Sequence, residues 1–436
     1  MSATLIRGGR LIDPASAADI ATDVLIDEGR VAEVGKGLSR AGAEVIDADG
    51  AVVAPGLVDM HVHLREPGRE DEETVASGSA AAVLGGFTAV CAMPNTDPVC
   101  DGASVAEMVF AAGRQAGLCE VMPAGSITKG LEGKYLSPVG ELVRCGVRLF
   151  TDDGKGVQDS RLLRRAMEYI RGFDAICAEH CEDASLSEGG QMHEGEFSEA
   201  LGLKGIPSAA EEVALGRDIL LAELTGVRFH ALHVSTAGSA EMIKRAKASG
   251  LRVTAEVTPH HLVLTDSDLV SYDTNFKVNP PLRGASDVEA LRVALAEGAI
   301  DAIASDHAPH SAEEKESEFE IAPPGMLGLE TSLSIMLTEL VDVGVLSLAD
   351  LIRLMSTSPA RILGLERQGG PVTQGSPANL VIFDPSASWT VKADSLSSMS
   401  RNTPWGGRKL KGRILHTFNE GRLVVKDGAL VQGALV

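Results

Sequence analysis

Between residues 55 and 369, short apolar segments alternate with amphipathic stretches of helical periodicity. The apolar segments are residues 56–63, 87–94, 119–127, 147–154, 174–180, 227–235, 251–260 and 299–310. Patterns such as "DEETVASGSAAAVLGG" and "SRLLRRAMEYIRG" lie between most of them. Apolar strands separated by amphipathic helices are typical of parallel βαβ units. Eight such units over about 300 residues predict an α/β protein with a (β/α)8 TIM-type barrel.

The two ends of the chain have a different texture. Residues 1–54 and 370–436 contain short alternating strands with turns such as "DEGR" and "DADG". This pattern indicates antiparallel strands joined by tight turns. We therefore predict one small β-sandwich domain built from both ends, 1–54 and 370–436, and a (β/α)8 barrel domain over 55–369.

Composition excludes several classes of partner. The net charge of the 436-residue chain is −22, with no block of basic residues, which argues against nucleic acid and anionic membranes. No apolar run approaches the roughly 20 residues of a membrane-spanning helix, and the first residues lack a signal-peptide pattern. The six cysteines show no CxxC spacing. We expect a cytoplasmic protein with reduced, mostly buried thiols.

Potential metal ligands follow five of the predicted strands. In chain order they are His61, His63, Asp152, Asp153, His180, His230, His233, Asp306, His307 and His310. In a (β/α)8 barrel, the carboxyl ends of the strands form the rim that carries the active site. Imidazole and carboxylate ligands together suit zinc or a similar divalent ion. Any single histidine could instead belong to the core, but the joint pattern predicts a metal site.

Two pairs leave alternatives open at this stage. Asp152 and Asp153 are adjacent, so they face opposite sides of a strand and only one can point at a metal. His230 and His233 are three residues apart, so only one of them is expected to point into the barrel. Lys155, in a Gly-flanked loop, is expected to be mobile and not a ligand.

Six ordered motifs carry a resemblance over essentially the whole chain. The stretches "DMHVHLREPG", "AMPNTDPV", "HVSTAGS", "TPHHL", "KVNPPLR" and "SDHAPH" resemble those of class I dihydroorotases, a family of the amidohydrolase superfamily. The resemblance implies reversible cyclisation of N-carbamoyl-L-aspartate to dihydroorotate, with loss of water, in pyrimidine biosynthesis. It also implies zinc, with one or two ions per chain left open.

The resemblance assigns the metal ligands residue by residue. His61, His63 and Asp306 would bind one ion, with Asp306 also acting as the catalytic acid/base on a metal-bound hydroxide. His180 and His233 would hold a second ion where two are present. The family match selects Asp153 at the bridging position, where many superfamily members carry a modified lysine. His230 is then expected on the outside of strand six, beneath a helix.

The resemblance also implies substrate contacts, with the carboxylate as the main recognition point. A guanidinium pairs with a carboxylate through two parallel hydrogen bonds, which suits the arginine beside the histidine pair. The implied contacts are His63, Arg65, Asn95, Asn279, His310, Pro324 and Gly325. Pro324 stands where the family often has an aromatic residue, so a backbone hydrogen bond from Gly325 is the expected contact there. Alternatively, Arg65 could form a surface ion pair with Glu66 or Glu70, and Asn95 could stabilise a turn.

Two other functions stay open from the sequence. The first is a related cyclic amidohydrolase, an allantoinase or hydantoinase, although these usually carry the bridging lysine. The second is a non-catalytic scaffold for aspartate transcarbamoylase, although such a chain is expected to have lost its metal ligands. The family expectation is a homodimer, and an active chain could also associate with that transcarbamoylase.

Overall fold

The computed structural model describes residues 3–433. None of the helices in this range is both long and apolar enough to cross a membrane. The chain begins with five strands: β1 (Thr4–Asp13), β2 (Ala18–Asp27), β3 (Arg30–Gly35), β4 (Glu44–Asp47) and β5 (Val52–Pro55). β1 and β2 pair antiparallel, and β1 is also flanked by β4 and β5 in parallel.

The central region contains the parallel strands of the barrel. They are β6 (Leu57–Val62), β7 (Phe87–Ala92), β8 (Glu120–Pro123), β9 (Leu149–Phe150), β10 (Ile176–Glu179), β13 (Arg228–Ala231), β14 (Val253–Val257) and β15 (Ala302–Ile303). Two further short strands, β11 (Met192–His193) and β12 (Gly205–Ile206), form a separate parallel pair after β10. Each of the eight predicted apolar segments contains one barrel strand, so the predicted fold class is confirmed.

The barrel closes through single bridges between its two arcs. β6, β7 and β8 form one arc, and β9, β10, β13, β14 and β15 form the other. Gly125 bridges to Phe150, and Val62 bridges to His307, both in the parallel sense. The amide of His63 also donates to the carbonyl of His307 at 2.8 Å, which ties the end of strand one to strand eight.

Helices cover the outside of the barrel. They are α1 (Val75–Leu84), α2 (Ala103–Ala116), α3 (Val139–Arg144), α4 (Ser160–Arg171), α5 (Ala184–Ser187), α6 (Glu196–Leu201), α7 (Ser208–Thr225), α8 (Ala237–Ala248), α9 (Pro259–Val263), α10 (Ala285–Ala296), α11 (Ala312–Lys315), α12 (Ser332–Met336), α13 (Leu348–Ile352) and α14 (Ser358–Leu363). Side-chain caps fix several starts: Thr74 accepts from Ser77 N, and Asp159 accepts from Arg161 N. Such caps satisfy amides that have no partner within the helix.

The last four strands return to the sheet that the first five began. β16 (Leu380–Thr390), β17 (Lys409–Asn419), β18 (Arg422–Lys426) and β19 (Ala429–Leu430) extend it to nine strands. β16 lies antiparallel to β5, with Leu380 opposite Pro55. Both chain ends therefore contribute to one β-rich unit, while the domain boundaries themselves stay predictions.

Apolar packing holds these layers together. One buried cluster includes residues from six barrel strands: Val58, Ala89, Met122, Leu149, Ile176 and Ala302. Residues of α14 close it at one end. Five of the six cysteines are buried and Cys145 is partly exposed, all as free thiols. The barrel thus has a filled interior, and the polar residues that interrupt it stand out.

Candidate active site

The predicted metal ligands converge where the barrel strands end. His61 is the second-to-last residue of β6, and His63 directly follows that strand. His180 directly follows β10. Asp153 and Asp306 each come three residues after the end of their strand. The six residues are buried, with exposures of 0% for His61, 7% for His63, 4% for Asp153, 1% for His180, 2% for His233 and 7% for Asp306.

The first group of ligand atoms surrounds His61 and His63. The Nε2 atom of His61 lies 3.5 Å from Asp153 Oδ1 and 3.6 Å from Asp306 Oδ1. The Nε2 atom of His63 lies 3.2 Å from Asp306 Oδ1. Ligands about 2.1 Å from a tetrahedral ion are about 3.4 Å from one another, so these separations fit a shared cation.

The second group joins Asp153 to His61 and His233, and His180 contacts His233. The Nε2 atom of His233 lies 3.5 Å from Asp153 Oδ1 and 3.0 Å from His180 Nδ1. The other oxygen of Asp153 lies 3.6 Å from His63 Nε2. The Asp153 carboxylate therefore stands between the two histidine groups, as a bridging ligand would.

Unpartnered polar atoms show that these residues fit a metal ion. Among residues 3–433, His61 Nε2 and Asp153 Oδ1 are fully buried and have no hydrogen-bond partner. A buried polar atom without a partner costs about 1–3 kcal/mol, and more when it is charged. A cation between the two atoms would satisfy both at once. The donor set of imidazoles and carboxylates matches the ligands that zinc prefers.

Electrostatics keeps the two aspartates ionised. Burial by itself raises the pKa of Asp153 and of Asp306, but the neighbouring histidines, His61 foremost, together outweigh it and hold both pKa values well below their usual range. Both side chains are therefore carboxylates, the form in which they bind a cation.

Hydrogen bonds behind the ligands set the tautomer of each strand-one histidine. The Nδ1 of His61 donates to Glu256 Oε1 at 2.7 Å, and the Nδ1 of His63 donates to Asn95 Oδ1 at 2.9 Å. Each Nε2 is thus left with its lone pair toward the site. Burial raises the pKa of Glu256, but the hydrogen bonds from His230 and His61 prevail and lower it to about 2.

The expectation that His230 lies outside the barrel is wrong. The ring of His230 contacts Thr254 Oγ1 at 2.8 Å and Glu256 Oε2 at 3.2 Å. Because Glu256 also contacts His61, His230 and His61 lie on the same face of the barrel strands. His233 has a φ of +28°, and this left-handed backbone breaks the alternation on which the prediction depended. Both histidines of strand six therefore face inward, with His230 one layer below the ligands.

Asp152 is turned away from the ligand groups. It accepts hydrogen bonds from the backbone amide of Thr128, at 2.9 Å, and from the hydroxyl of the same residue. The structure thus resolves the pair that the sequence left open, with Asp153 toward the histidines. Lys155 is exposed in the following loop. His307 packs against Glu73, with its Nε2 at 3.3 Å from Glu73 Oε2.

A cavity of about 200 Å³ lies above the ligands. Its lining contains the predicted metal ligands except the deeper His61, and all the predicted substrate contacts: His63, Arg65, Asn95, Asn279, His310, Pro324 and Gly325. Asn279 Oδ1 is buried there without a hydrogen-bond partner in the described part of the chain. Its amide nitrogen lies 3.3 Å from His180 Nε2. The unpartnered oxygen can accept a hydrogen bond from a bound molecule.

Arg65 has a buried carboxylate partner in place of the surface partners considered from the sequence. Its side chain is 11% exposed, and its Nε lies 3.1 Å from Glu72 Oε2. Glu66 instead accepts from Val75 N, at 2.7 Å, at the start of α1. Arg65 Nη2 lies 3.3 Å from His310 Nε2. Burial, together with the charge of Arg65, lowers the pKa of His310 to about 3.

The backbone at Gly325 differs from what the sequence suggested. Its amide already donates to the carbonyl of Lys277 at 2.8 Å, so it is not free to bind a ligand. Gly325 has a φ of +144°, and a Cβ there would stand 2.9 Å from His310 Nε2. Glycine is needed here for a close approach and not to supply a free donor. The carbonyl of Pro324 contacts His310 Nε2 at 3.0 Å.

Two buried glutamates were not identified from the sequence. Glu256 stands in "VTAEV", where a carboxylate interrupts an otherwise apolar strand, and that interruption was a usable signal. Glu72 lies among the acidic residues of "GREDEET", which offer no comparable signal. A third group of possible metal ligands consists of Glu72, His310 and Glu314. Arg69 forms ion pairs with both glutamates of this group, at 3.0 Å from Glu72 and 2.7 Å from Glu314, so their charges are already compensated.

Comparisons with known proteins agree with this geometry. Residues 50–239 match the family model described as "Dihydro-orotase-like". The chain is 50% identical to the dihydroorotase of Streptomyces coelicolor over 432 residues, covering 99% of this chain and 100% of the relative. It is 49% identical to the dihydroorotase of Pelobacter propionicus over 97% of this chain and 99% of the relative. Among solved structures, the L-hydantoinase of Arthrobacter aurescens superposes with a TM-score of 0.88 at 27% identity, covering 99% and 98% of the two chains.

Proposed function

Because this chain belongs to the dihydroorotase family, we propose that it catalyses the reversible ring closure of N-carbamoyl-L-aspartate to dihydroorotate, with release of water, as a step of pyrimidine biosynthesis. The observation that carries the proposal is that one cavity contains both a set of metal-ligand groups and a cationic side chain. Its floor holds the histidine and aspartate ligand groups, and Arg65 stands in its wall. A cyclic amide that bears a free carboxylate needs both.

We propose zinc as the metal, held by His61, His63 and Asp306 on one side and by His180 and His233 on the other, with Asp153 between the two groups. When bound, such an ion lowers the pKa of water and polarises an amide carbonyl. The hydrogen bonds from His61 to Glu256 and from His63 to Asn95 turn each Nδ1 away from the site, so that Nε2 is the nitrogen that would bind the ion. Elemental analysis of the purified protein distinguishes one ion per chain from two.

Asp306 is the proposed acid and base. In the hydrolytic direction its carboxylate takes a proton from the attacking water and delivers it to the leaving ring nitrogen. Its low pKa keeps it unprotonated before the reaction, as a base must be. Its φ of +47° is rare for a residue with a side chain, and such backbone strain is common at active sites.

Arg65 is the proposed reader of the substrate carboxylate, with His310 and Asn95 beside it. A guanidinium can form two parallel hydrogen bonds to a carboxylate, and a buried, fixed guanidinium loses little freedom when it does so. Asn279, with its unpartnered Oδ1, is placed to accept a hydrogen bond from the ring edge.

A comparison of hydrolysis rates for three cyclic amides tests the proposal. Purified chain, loaded with zinc, is given dihydroorotate, hydantoin and allantoin, and hydrolysis is followed for each. We expect turnover of dihydroorotate and little turnover of the two rings that lack a carboxylate. Asp306→Asn is the matched control, because it keeps the shape and removes the base. Preferred hydrolysis of hydantoin or allantoin, or no turnover of dihydroorotate, would contradict the proposal.

We also propose that the active chain forms a homodimer and associates with aspartate transcarbamoylase, as the family resemblance suggests. Sedimentation of the chain alone, and of its mixture with the transcarbamoylase from the same organism, tests both assemblies. A monomer, or two independent boundaries in the mixture, would rule out the respective assembly.

A further inference from the structure

We propose that Glu72 is a positioning residue that holds Arg65, directly and through His310, in the orientation that binds the substrate carboxylate. The inference rests on the proposed function. It concerns a residue in the segment between β6 and α1, outside the metal-ligand groups.

The contacts of Glu72 use both of its oxygens. Oε2 lies 3.1 Å from Arg65 Nε, and Oε1 lies 3.0 Å from His310 Nδ1. Oε1 also lies 3.0 Å from Arg69 Nη2. The Glu72 side chain is only 1% exposed, so water does not compete for the ion pair with Arg65 or for the hydrogen bonds with His310 and Arg69. A carboxylate so placed restrains the two cavity residues from behind.

These contacts determine which atoms face the cavity. A carboxylate only accepts hydrogen bonds, so the proton of a neutral His310 ring is held on Nδ1, since a charged acceptor outcompetes the carbonyl of Pro324 at Nε2. The lone pair of Nε2 can then accept from Arg65 Nη2 at 3.3 Å. Glu72 thus restrains Arg65 twice, directly at Nε and through His310 at Nη2.

The carbonyl of Pro309 completes the restraint, at 3.0 Å from Arg65 Nε. With Nε occupied, the terminal nitrogens of the guanidinium are the donors left for a ligand. Arg65 has a φ of +59°, so its backbone also needs support from its surroundings. Bidentate recognition depends on orientation, and a shift of about 1 Å at such a site can cost roughly 100-fold in rate.

Charge balance gives Glu72 a second part in this arrangement. Arg65, Arg69 and Lys315 are the cations around His310, and Glu72 and Glu314 are the anions. Glu72 compensates for the burial of the Arg65 guanidinium before substrate arrives. The bound carboxylate then meets a cation that is already in place, and not a flexible side chain.

Steady-state kinetics of Glu72→Gln test the inference. The amide keeps the shape of the side chain but removes its charge and one acceptor. We expect KM for dihydroorotate to rise roughly 10- to 100-fold, as for other residues that orient a binding group. The values of kcat and bound zinc should stay near those of the wild type, because the ligand groups are untouched. Thermal stability should fall, because Arg65 and Arg69 lose a buried compensating charge.

Glu314→Gln is the matched control. Glu314 also contacts Arg69 and lies 3.5 Å from His310, but it is 34% exposed and does not touch Arg65. Its KM should change by less than about twofold, since exposed ion pairs contribute little. Should Glu72→Gln not fold, Glu72→Asp replaces it: the shorter side chain keeps the charge but cannot span both partners, and a raised KM is expected again.

The outcomes separate this inference from the proposed function. An unchanged KM in both Glu72 variants would overturn it. A joint fall in kcat and zinc content would also overturn it, because Glu72 would then support the metal-ligand groups. If the wild-type chain does not hydrolyse dihydroorotate at all, the proposed function fails first. In that case, the role of Glu72 is tested by measuring the binding of dihydroorotate and of dihydrouracil, which lacks the carboxylate. If Glu72→Gln loses the preference for dihydroorotate, the positioning role is supported. If the preference is unchanged, the positioning role is overturned.

Discussion

Replacing Glu256 by glutamine should weaken zinc binding without unfolding the barrel. Glu256 is fully buried, and it accepts hydrogen bonds from His61 Nδ1 at 2.7 Å and from His230 Nε2 at 3.2 Å. The negative charge of Glu256 makes the His61 imidazole a stronger metal ligand, and the hydrogen bond to Glu256 fixes the orientation of the ring. Glutamine can still accept one hydrogen bond but carries no charge, and its amide faces the second histidine as a donor.

The size of the effect follows from this arrangement. Residues that hydrogen-bond to a metal-ligating histidine typically contribute 10- to 100-fold to metal affinity, or about 1.4–2.7 kcal/mol. Because Glu256 supports His61 and the underlying His230 together, we expect a loss near 100-fold. Competition with a zinc-binding dye measures the dissociation constant directly, and the activity at saturating zinc should recover much of the wild-type value.

Glu330→Gln provides the comparison. Glu330 is a partly buried carboxylate that accepts from Ser397 N at 2.6 Å, away from the ligand groups. This variant should bind zinc with wild-type affinity. If Glu256→Gln also binds zinc as tightly as the wild type, the support that we assign to Glu256 is refuted.

Three further perturbations have defined outcomes. Arg65→Ala should leave zinc content unchanged while kcat/KM falls by about 2–4 kcal/mol, and a loss of zinc would disprove its assignment to the substrate. Chelation should lower the free energy of unfolding in urea by about 4 kcal/mol relative to protein held at 1,000 times the zinc dissociation constant. Asp153→Asn should reduce that difference, and an unchanged difference would place the metal elsewhere. Burial raises the pKa of Glu330 to about 7, so the folded state retains a proton that the unfolded state loses near pH 4.5. The contribution of Glu330 to stability should therefore fall by at most about 3 kcal/mol between pH 4.5 and 7, and the pH dependence of thermal unfolding should differ between Glu330→Gln and the wild type by that amount. An identical pH dependence in the two proteins would refute the raised pKa.

Periodicity and motif order were enough to place most of the ligand residues. The eight apolar segments are long enough to define strands, and a parallel barrel brings their carboxyl ends to one rim. His61, His63, Asp153, His180 and Asp306 could therefore be proposed as neighbours before any coordinates were known. Strand alternation failed at His233, because a single left-handed residue reverses the direction of its side chain.

The sequence by itself determined the barrel, the set of residues at its rim and the family to which the chain belongs, because these depend on local periodicity and on ordered motifs. Only the tertiary structure decided which atoms meet. It turned Asp152 toward Thr128, put His230 beneath Glu256, engaged the amide of Gly325, and brought Glu72 to Arg65 and to His310, which is 238 residues away along the chain. Contacts of this kind depend on packing between distant segments, and no local pattern encodes them.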